Sequence, residues 1–298
     1  MLVGSNSLST LILNTKKTLM LNPIEGEIFS VDKPLGWTSF EVVKKVRARL
    51  RKRLDIKSLR VGHAGTLDPL ATGVLTVCTG PATKRIEELQ AGVKEYVAHM
   101  RLGETTPSFD LETQVDATYP WQHITRELVE QVLQQQFTGS IEQVPPAFSA
   151  CKIDGKPAYK LARKGKEVEI RAKTLVIDEI EVLECGLPQE PTLTIRVVCS
   201  KGTYIRALAR DIGVALGSGA HLTALRRTRV GDVRVENCER VDDLIARLET
   251  EDMVSPDRAE QQRLEREREA NRAAARQRKA QRQARQRSRA PRQSQIDK

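Results

Sequence analysis

The chain has 298 residues, 39% hydrophobic and 30% charged, a balance that fits a soluble protein with room for one large domain or two small ones. No apolar run approaches a membrane span, and Leu11 to Leu13, followed by Lys16 and Lys17, lacks the order of a signal peptide, so a cytoplasmic protein is expected. The net charge is +10, but residues 270 to 298 hold ten Lys or Arg against Asp297, which leaves residues 1 to 269 at +1.

Residues 1 to 25 carry no motif and read as an extension. Residues 26 to 34, GEIFSVDKP, predict a strand ending at Lys33-Pro34. Thr38 and Glu41 then have capping-box spacing, and Val42, Val43, Val46 and Leu50 form one apolar stripe, so a helix is expected to about Arg53. Further on come a strand at Val74 to Cys78, a short helix near Ala82 to Leu89, and an alternating strand from Glu95 to Leu102. The segment 104 to 113, ETTPSFDLET, reads as a polar loop. A second amphipathic helix is expected over Thr125 to Phe137, closed by Gly139. From Pro145 a strand, a turn at Asp154-Gly155 and a short helix stopped by Gly165 are expected. Strands follow over Val168 to Glu184 and Thr192 to Cys199, then a helix over Tyr204 to Leu216, a strand over His221 to Val230 and a short helix at Asp242 to Leu248. Strands interleaved with helices and hairpin spacings make the fold class α+β or α/β on a mixed sheet. From Ser255 onward Arg, Ala, Gln and Glu offer no apolar face, so residues 251 to 298 read as a tail of disorder or fraying helix.

Two inner segments are also basic. Residues 42 to 60 contain nine Lys or Arg against Asp55, and residues 152 to 173 contain eight, among them Lys152, Arg163 and Lys164, against three acids. Such clusters suit a polyanion, because neutralised phosphates release counterions; a solvated helix face is the alternative. The five cysteines are scattered and form no CxxC pair, so neither a disulfide framework nor a zinc site is expected. No dinucleotide or phosphate-loop spacing is present, so neither a dinucleotide cofactor nor a phosphate loop is indicated.

Residues 62 to 75, GHAGTLDPLATGVL, are the chain's most informative stretch. One acid, Asp68, stands among turn formers just ahead of an apolar strand. Pro69 biases it toward extended geometry and the glycines permit close backbone approach. Such a loop can hold a working carboxylate, or it can be an ordinary aspartate turn.

This stretch closely resembles the central motif of the TruB-type tRNA pseudouridine-55 synthases. The similarity extends through VDKPLGWTS (31 to 39), GPATK (80 to 84), KEYVAHMRLG (94 to 103), SKGTYIRALARDIG (200 to 213) and GAHLTALRR (219 to 227), from about Gly26 to about Leu248. The resemblance implies the pseudouridine synthase fold: a long bent mixed sheet, helices packed outside and a central catalytic cleft, here over residues 26 to 250, with an RNA-gripping insertion at about 145 to 173. It implies a cofactor-free, metal-free isomerase that makes pseudouridine in the T arm of tRNA after flipping the target uridine out of its stack. Asp68 falls on the family's catalytic acid, Arg206 on its cationic partner and Tyr96 on the tyrosine that stacks on the base. His63 falls on the residue that fills the vacated space, Tyr204 on a base-contacting position, Leu225 on the floor of the uracil pocket, and Lys33 on a support position beside it. Arg226 and Arg227 are expected at phosphates. On the residues alone, Tyr96 and Tyr204 could equally be packing tyrosines and Arg206 a helix-surface arginine. Bacterial members often add a PUA-type RNA-binding domain, for which residues 249 to 298 lack the composition. No obligate protein partner is expected, and a monomer is. An RNA-remodelling protein without catalysis and a hydrolase using Asp68 are the competing classes.

Overall fold

The computed structural model describes residues 20–149, 151–153, 156–158, 170–254 and, toward the C-terminus, 264–265, 267–269, 271–277 and 281. Arg163, Lys164 and the Asp154-Gly155 turn lie outside the described residues. So do residues 159 to 169, over which the helix stopped by Gly165 and the start of the next strand were expected.

One ten-stranded mixed sheet organises the molecule. In space it runs β14 (Glu239–Arg240), β1 (Ile28–Lys33), β3 (Ala71–Thr79), β12 (Ala220–Val230), β4 (Lys94–Leu102), β11 (Thr192–Cys199), β10 (Lys173–Cys185) and β7 (Gly139–Gln143); β2 (Val61–Ala64) pairs with β3 and β13 (Val233–Arg234) with β12. Most neighbours are antiparallel, but β3 and β12 run parallel over only three pairs, Leu225 with Ala71, Arg226 with Thr72 and Arg227 with Gly73. That brief junction joins two halves with separate cores. On one side α1 (Ser39–Arg53) and the helix α5 (Val241–Thr250) pack on β1 and β3; on the other α3 (Arg126–Gln136) and α4 (Ile205–Ala215) pack on β4, β10 and β11. A short helix, α2 (Ile86–Leu89), follows a turn of 3-10 helix at Gly80–Arg85.

Local sequence explains the elements. The Thr38 hydroxyl accepts from the Glu41 amide at 3.1 Å and the Glu41 carboxylate accepts from the Thr38 amide at 2.6 Å, a complete capping box. Val42, Val43, Val46 and Leu50 of α1 are buried, each contributing about 1.5–3 kcal/mol, while Arg51, Lys52 and Arg53 face the helix dipole in the last turn. β3 is buried along almost its whole length, as expected of a central strand. Two edges were not expected: Val61–Ala64, read as loop, is a strand, and Gly139, read as a helix stop, opens β7. The first shortens the Asp68 loop to residues 65 to 70. Within the basic insertion the hairpin pairs Lys152 with Pro157 and Ile153 with Lys156. In the C-terminal segment every described residue from 264 to 281 is helical.

Candidate active site

A single register row crosses the junction: Lys33 on β1 pairs with Gly73 on β3, Gly73 with Arg227 on β12, Arg227 with Tyr96 on β4 and Tyr96 with Val197 on β11. Gly73 has φ +106°, and a Cβ there would stand 2.1 Å from the Arg227 carbonyl oxygen, so no side chain fits. A bulge between Arg227 and Arg229 bends β12 at the same place. The cleft opens beside this row. It has a volume of about 530 Å³ and is lined by the Asp68 loop, by Tyr96 and Leu225 from the sheet, and by the segment from Ser200 to Arg206.

The Asp68 loop is tied down by the chain's first motif. The Leu67 amide donates to the Ser39 hydroxyl at 2.8 Å, and that hydroxyl donates back to the Leu67 carbonyl at 3.0 Å. The Gly36 amide donates to the Pro69 carbonyl at 2.9 Å. Lys33, fully buried, points its Nζ at the carbonyls of Trp37 (2.6 Å), Pro34 (2.9 Å) and Pro69 (3.4 Å). Burial pulls its pKa down to about 8, against the nearby Asp68 carboxylate, which pushes it up. Lys33 is therefore not a substrate-binding residue of the cleft: it has no exposed surface, and its ammonium is spent on the backbone that carries Asp68.

Asp68 meets its cation. Arg206, in the first turn of α4 and 4% exposed, donates from Nε to Asp68 Oδ2 at 2.9 Å. Its two Nη atoms donate to the carbonyls of Ser108 (3.1 Å) and Phe148 (2.8 Å), and Asp110 Oδ2 lies 3.7 Å from Nε. Loss of water in the cleft floor raises the Asp68 pKa, Arg206 opposes that rise and Asp110 adds to it. The Asp68 side chain keeps 39% of its surface open, so the rise is smaller than full burial would cause. The carboxylate is thus oriented from below by a guanidinium and open above to a substrate.

Tyr96 is buried in the adjoining wall. Burial raises its pKa, with the Arg227 guanidinium pulling the other way, so the neutral phenol prevails at neutral pH. Tyr204 caps α4, its amide donating to Gln143 Oε1 at 2.9 Å, with its half-buried ring in the cleft lining. Leu225 joins the lining from β12. The structure thus brings Asp68, Arg206, Tyr96, Tyr204 and Leu225 to one cleft.

Of the other expected site residues, Arg227 also lines the cleft, while Lys33, His63 and Arg226 do not. His63 lies on β2 opposite Val77 and is not among the cleft-lining residues; its Nδ1 is buried with no partner among the described residues, and burial, with Arg227, lowers its pKa. Arg226 and Arg227 correct the expectation of a phosphate-binding pair. Neighbouring residues on a strand face opposite ways. Arg226 grips Asp32 with two nitrogens, at 3.2 and 2.7 Å, while Arg227 is 2% exposed and donates to the carbonyls of Val74 (2.8 Å) and Gly65 (3.1 Å). A guanidinium so enclosed holds the loop and cannot reach a phosphate. Lys152 is placed by its backbone alone, on β8 (Lys152–Ile153).

Two groups escaped the sequence reading. Asp110 comes from the segment read as a polar loop; its neighbour Phe109 sits at φ +61°, which turns Ser108 and Asp110 onto Arg206. Lys94, two residues before Tyr96, is 6% exposed, lines the cleft and has a pKa lowered by burial to about 8. Nothing periodic marks the first, and the second reads as a strand-end lysine.

The geometry agrees with comparisons against known proteins. Residues 51–205 match the family model of the TruB family pseudouridylate synthase N-terminal domain, and residues 206–262 that of the tRNA pseudouridylate synthase B C-terminal domain. The chain is 68% identical to the tRNA pseudouridine synthase B of Phocaeicola vulgatus over 218 residues, covering 73% of this chain and 91% of that protein. It is 49% identical to the one from Flavobacterium johnsoniae, covering 72% and 92%. Among solved structures, chains from a Cbf5-Nop10-Gar1 complex (33% identity, TM-score 0.54) and from an H/ACA RNP bound to a substrate RNA containing 2′-deoxyuridine (31%, 0.52) share the fold over 76% and 78% of this chain. This chain spans 55% and 59% of those two. With both of its halves matched in sequence and its sheet matched in space, the chain belongs to the TruB family of pseudouridylate synthases.

Proposed function

We propose that the protein is a tRNA pseudouridine synthase that isomerises the uridine at position 55, in the T arm, with Asp68 as the catalytic carboxylate. The observation that carries this reading is the 2.9 Å pair between Asp68 and Arg206 at the floor of an open cleft walled by Tyr96, Tyr204 and Leu225. Pure RNA binding needs no oriented carboxylate next to an apolar, aromatic-walled pocket.

The reaction moves one glycosidic bond. The target uridine leaves its stack and enters the cleft, where Leu225 and the ring of Tyr96 receive the base. Asp68 acts on the ribose, at C1′ as nucleophile or at C2′ as base, while the bond from C1′ to N1 breaks. The freed uracil turns, C1′ bonds to C5, the C5 proton leaves to solvent and N1 gains one, so atoms balance without redox or external energy. Arg206 aims the carboxylate and favours its charged form. The neutral phenol of Tyr96 suits stacking; as a base for the C5 proton it must first ionise. His63 is assigned to the space left by the base. The basic hairpin beginning at Lys152, together with Arg163 and Lys164, is assigned to the RNA arm. We further assign the protein to the cytoplasm as a monomer.

Transfer RNA tritiated at uracil C5 tests the reading. Wild-type protein should release the label, and Asp68→Asn should release it at least about a thousandfold more slowly while still binding the RNA. Equal release by both proteins removes Asp68 from the chemistry. Binding without release by the wild type points to a remodelling protein, and free uracil to a hydrolase.

A further inference from the structure

Two basic runs that are far apart in the chain meet on one surface. The first, residues 42 to 60, ends at Arg60; the second belongs to the C-terminal helix, whose Leu264 packs against the core beneath α1 and α5. The Arg268 guanidinium donates to both the carbonyl and the hydroxyl of Ser58, docking the helix on the turn between α1 and β2. A crevice of about 560 Å³ lies between them, lined by Ser58, Leu59, Arg60, Arg268, Asn271 and Arg272.

Three guanidinium groups thus face one space. None of them forms an ion pair with a carboxylate among the described residues; Glu265 acts on Arg268 only at longer range. Arg60 and Arg272 are exposed. Partial burial is the main cause that lowers the Arg268 pKa; the charges of Arg60 and Arg272 add to it and Glu265 opposes it. Such an arrangement is unfavourable until an anion enters it. Guanidinium forks and the Asn271 amide are donors that suit phosphate oxygens, and the lining presents no aromatic ring on which a base could stack.

We infer that this crevice binds a backbone phosphate of the RNA substrate, making the C-terminal helix a second, sequence-independent grip outside the catalytic cleft. The inference rests on the RNA-modifying reading above. Arg60 leads directly into β2, and the four residues of that strand, about 13 Å, separate it from the Gly65 to Asp68 loop. One RNA engaged at Asp68 therefore passes within reach. The docked helix lies beyond the two segments matched to the family, residues 51–205 and 206–262, whereas Ser58, Leu59 and Arg60 lie within the first.

The test uses full-length Arg60→Gln, Arg272→Gln and the double variant, none of which touches the cleft or the Ser58 contact. Binding to an unmodified tRNA transcript is measured across a salt series, with helicity by circular dichroism as the check on folding and turnover at saturating RNA alongside. The double variant should bind several-fold more weakly at low salt, and its plot of log affinity against log salt should be shallower by about 0.7–0.9, one phosphate contact, with kcat unchanged. An unchanged affinity and salt slope overturns the inference, as does a fall in kcat at unchanged affinity. A wild type that binds tRNA but forms no pseudouridine defeats the catalytic reading and leaves the crevice result standing.

Discussion

The cations under the cleft and those beside the C-terminal helix are the same chemical groups in opposite circumstances. Arg206, Arg227 and Lys33 are 4%, 2% and 0% exposed, and every one is held by carbonyl or carboxylate oxygens. Arg60 and Arg272 are exposed and have no carboxylate partner among the described residues. A buried charge is tolerable only when its hydrogen bonds are made, so it is fixed and can fix others. An exposed, unpartnered charge is free to recruit an anion and is weakened by salt. Positioning and attraction are thus divided between two regions of one basic protein.

The sharpest way to break the comparison is to remove the cation that touches the acid. Arg206→Gln should lower kcat/KM by about 10²–10³-fold, the loss typical of a preorganised electrostatic group. Because Arg206 opposes the burial that raises the Asp68 pKa, removing it raises that pKa further. The ionised, active form is then lost at higher pH, and the acid limb of the pH–rate profile should shift upward; an unmoved limb breaks the assignment.

Gly73→Ala probes the row itself. The clash with the Arg227 carbonyl and the positive φ should cost about 3–5 kcal/mol of stability, read by denaturant unfolding. A variant that folds as well as the wild type would mean that β3 and β12 are not fixed against each other.

The smallest of these effects depends on pH. Lys33 has a folded pKa of about 8 against 10.5 in the unfolded chain, so between those values the unfolded state holds more protons and stability rises with pH. That rise amounts to no more than roughly 3 kcal/mol, and Lys33→Met should remove it from a series of unfolding curves at pH 8 to 10.5. A rise that survives in the variant belongs to another group, Lys94 first, since its pKa is also about 8.

What the residues alone determine here is mostly local. The capping box and apolar stripe place α1 at Ser39–Arg53, and alternation places β4 within a residue of its observed start, because both patterns are set by neighbours in the chain. Asp68 stands out in its loop, though its pairing with Arg206, 138 positions later, enters through likeness to a family. Only the tertiary structure decides which of two adjacent arginines faces inward, that Asp110 joins Arg206, that Lys33 serves the loop and not the ligand, and that the two basic runs meet at Ser58. Each of these depends on strand register or on contacts between distant segments. Register and burial are settled by the packing of the whole sheet, and a side chain's identity does not say which oxygen it will find.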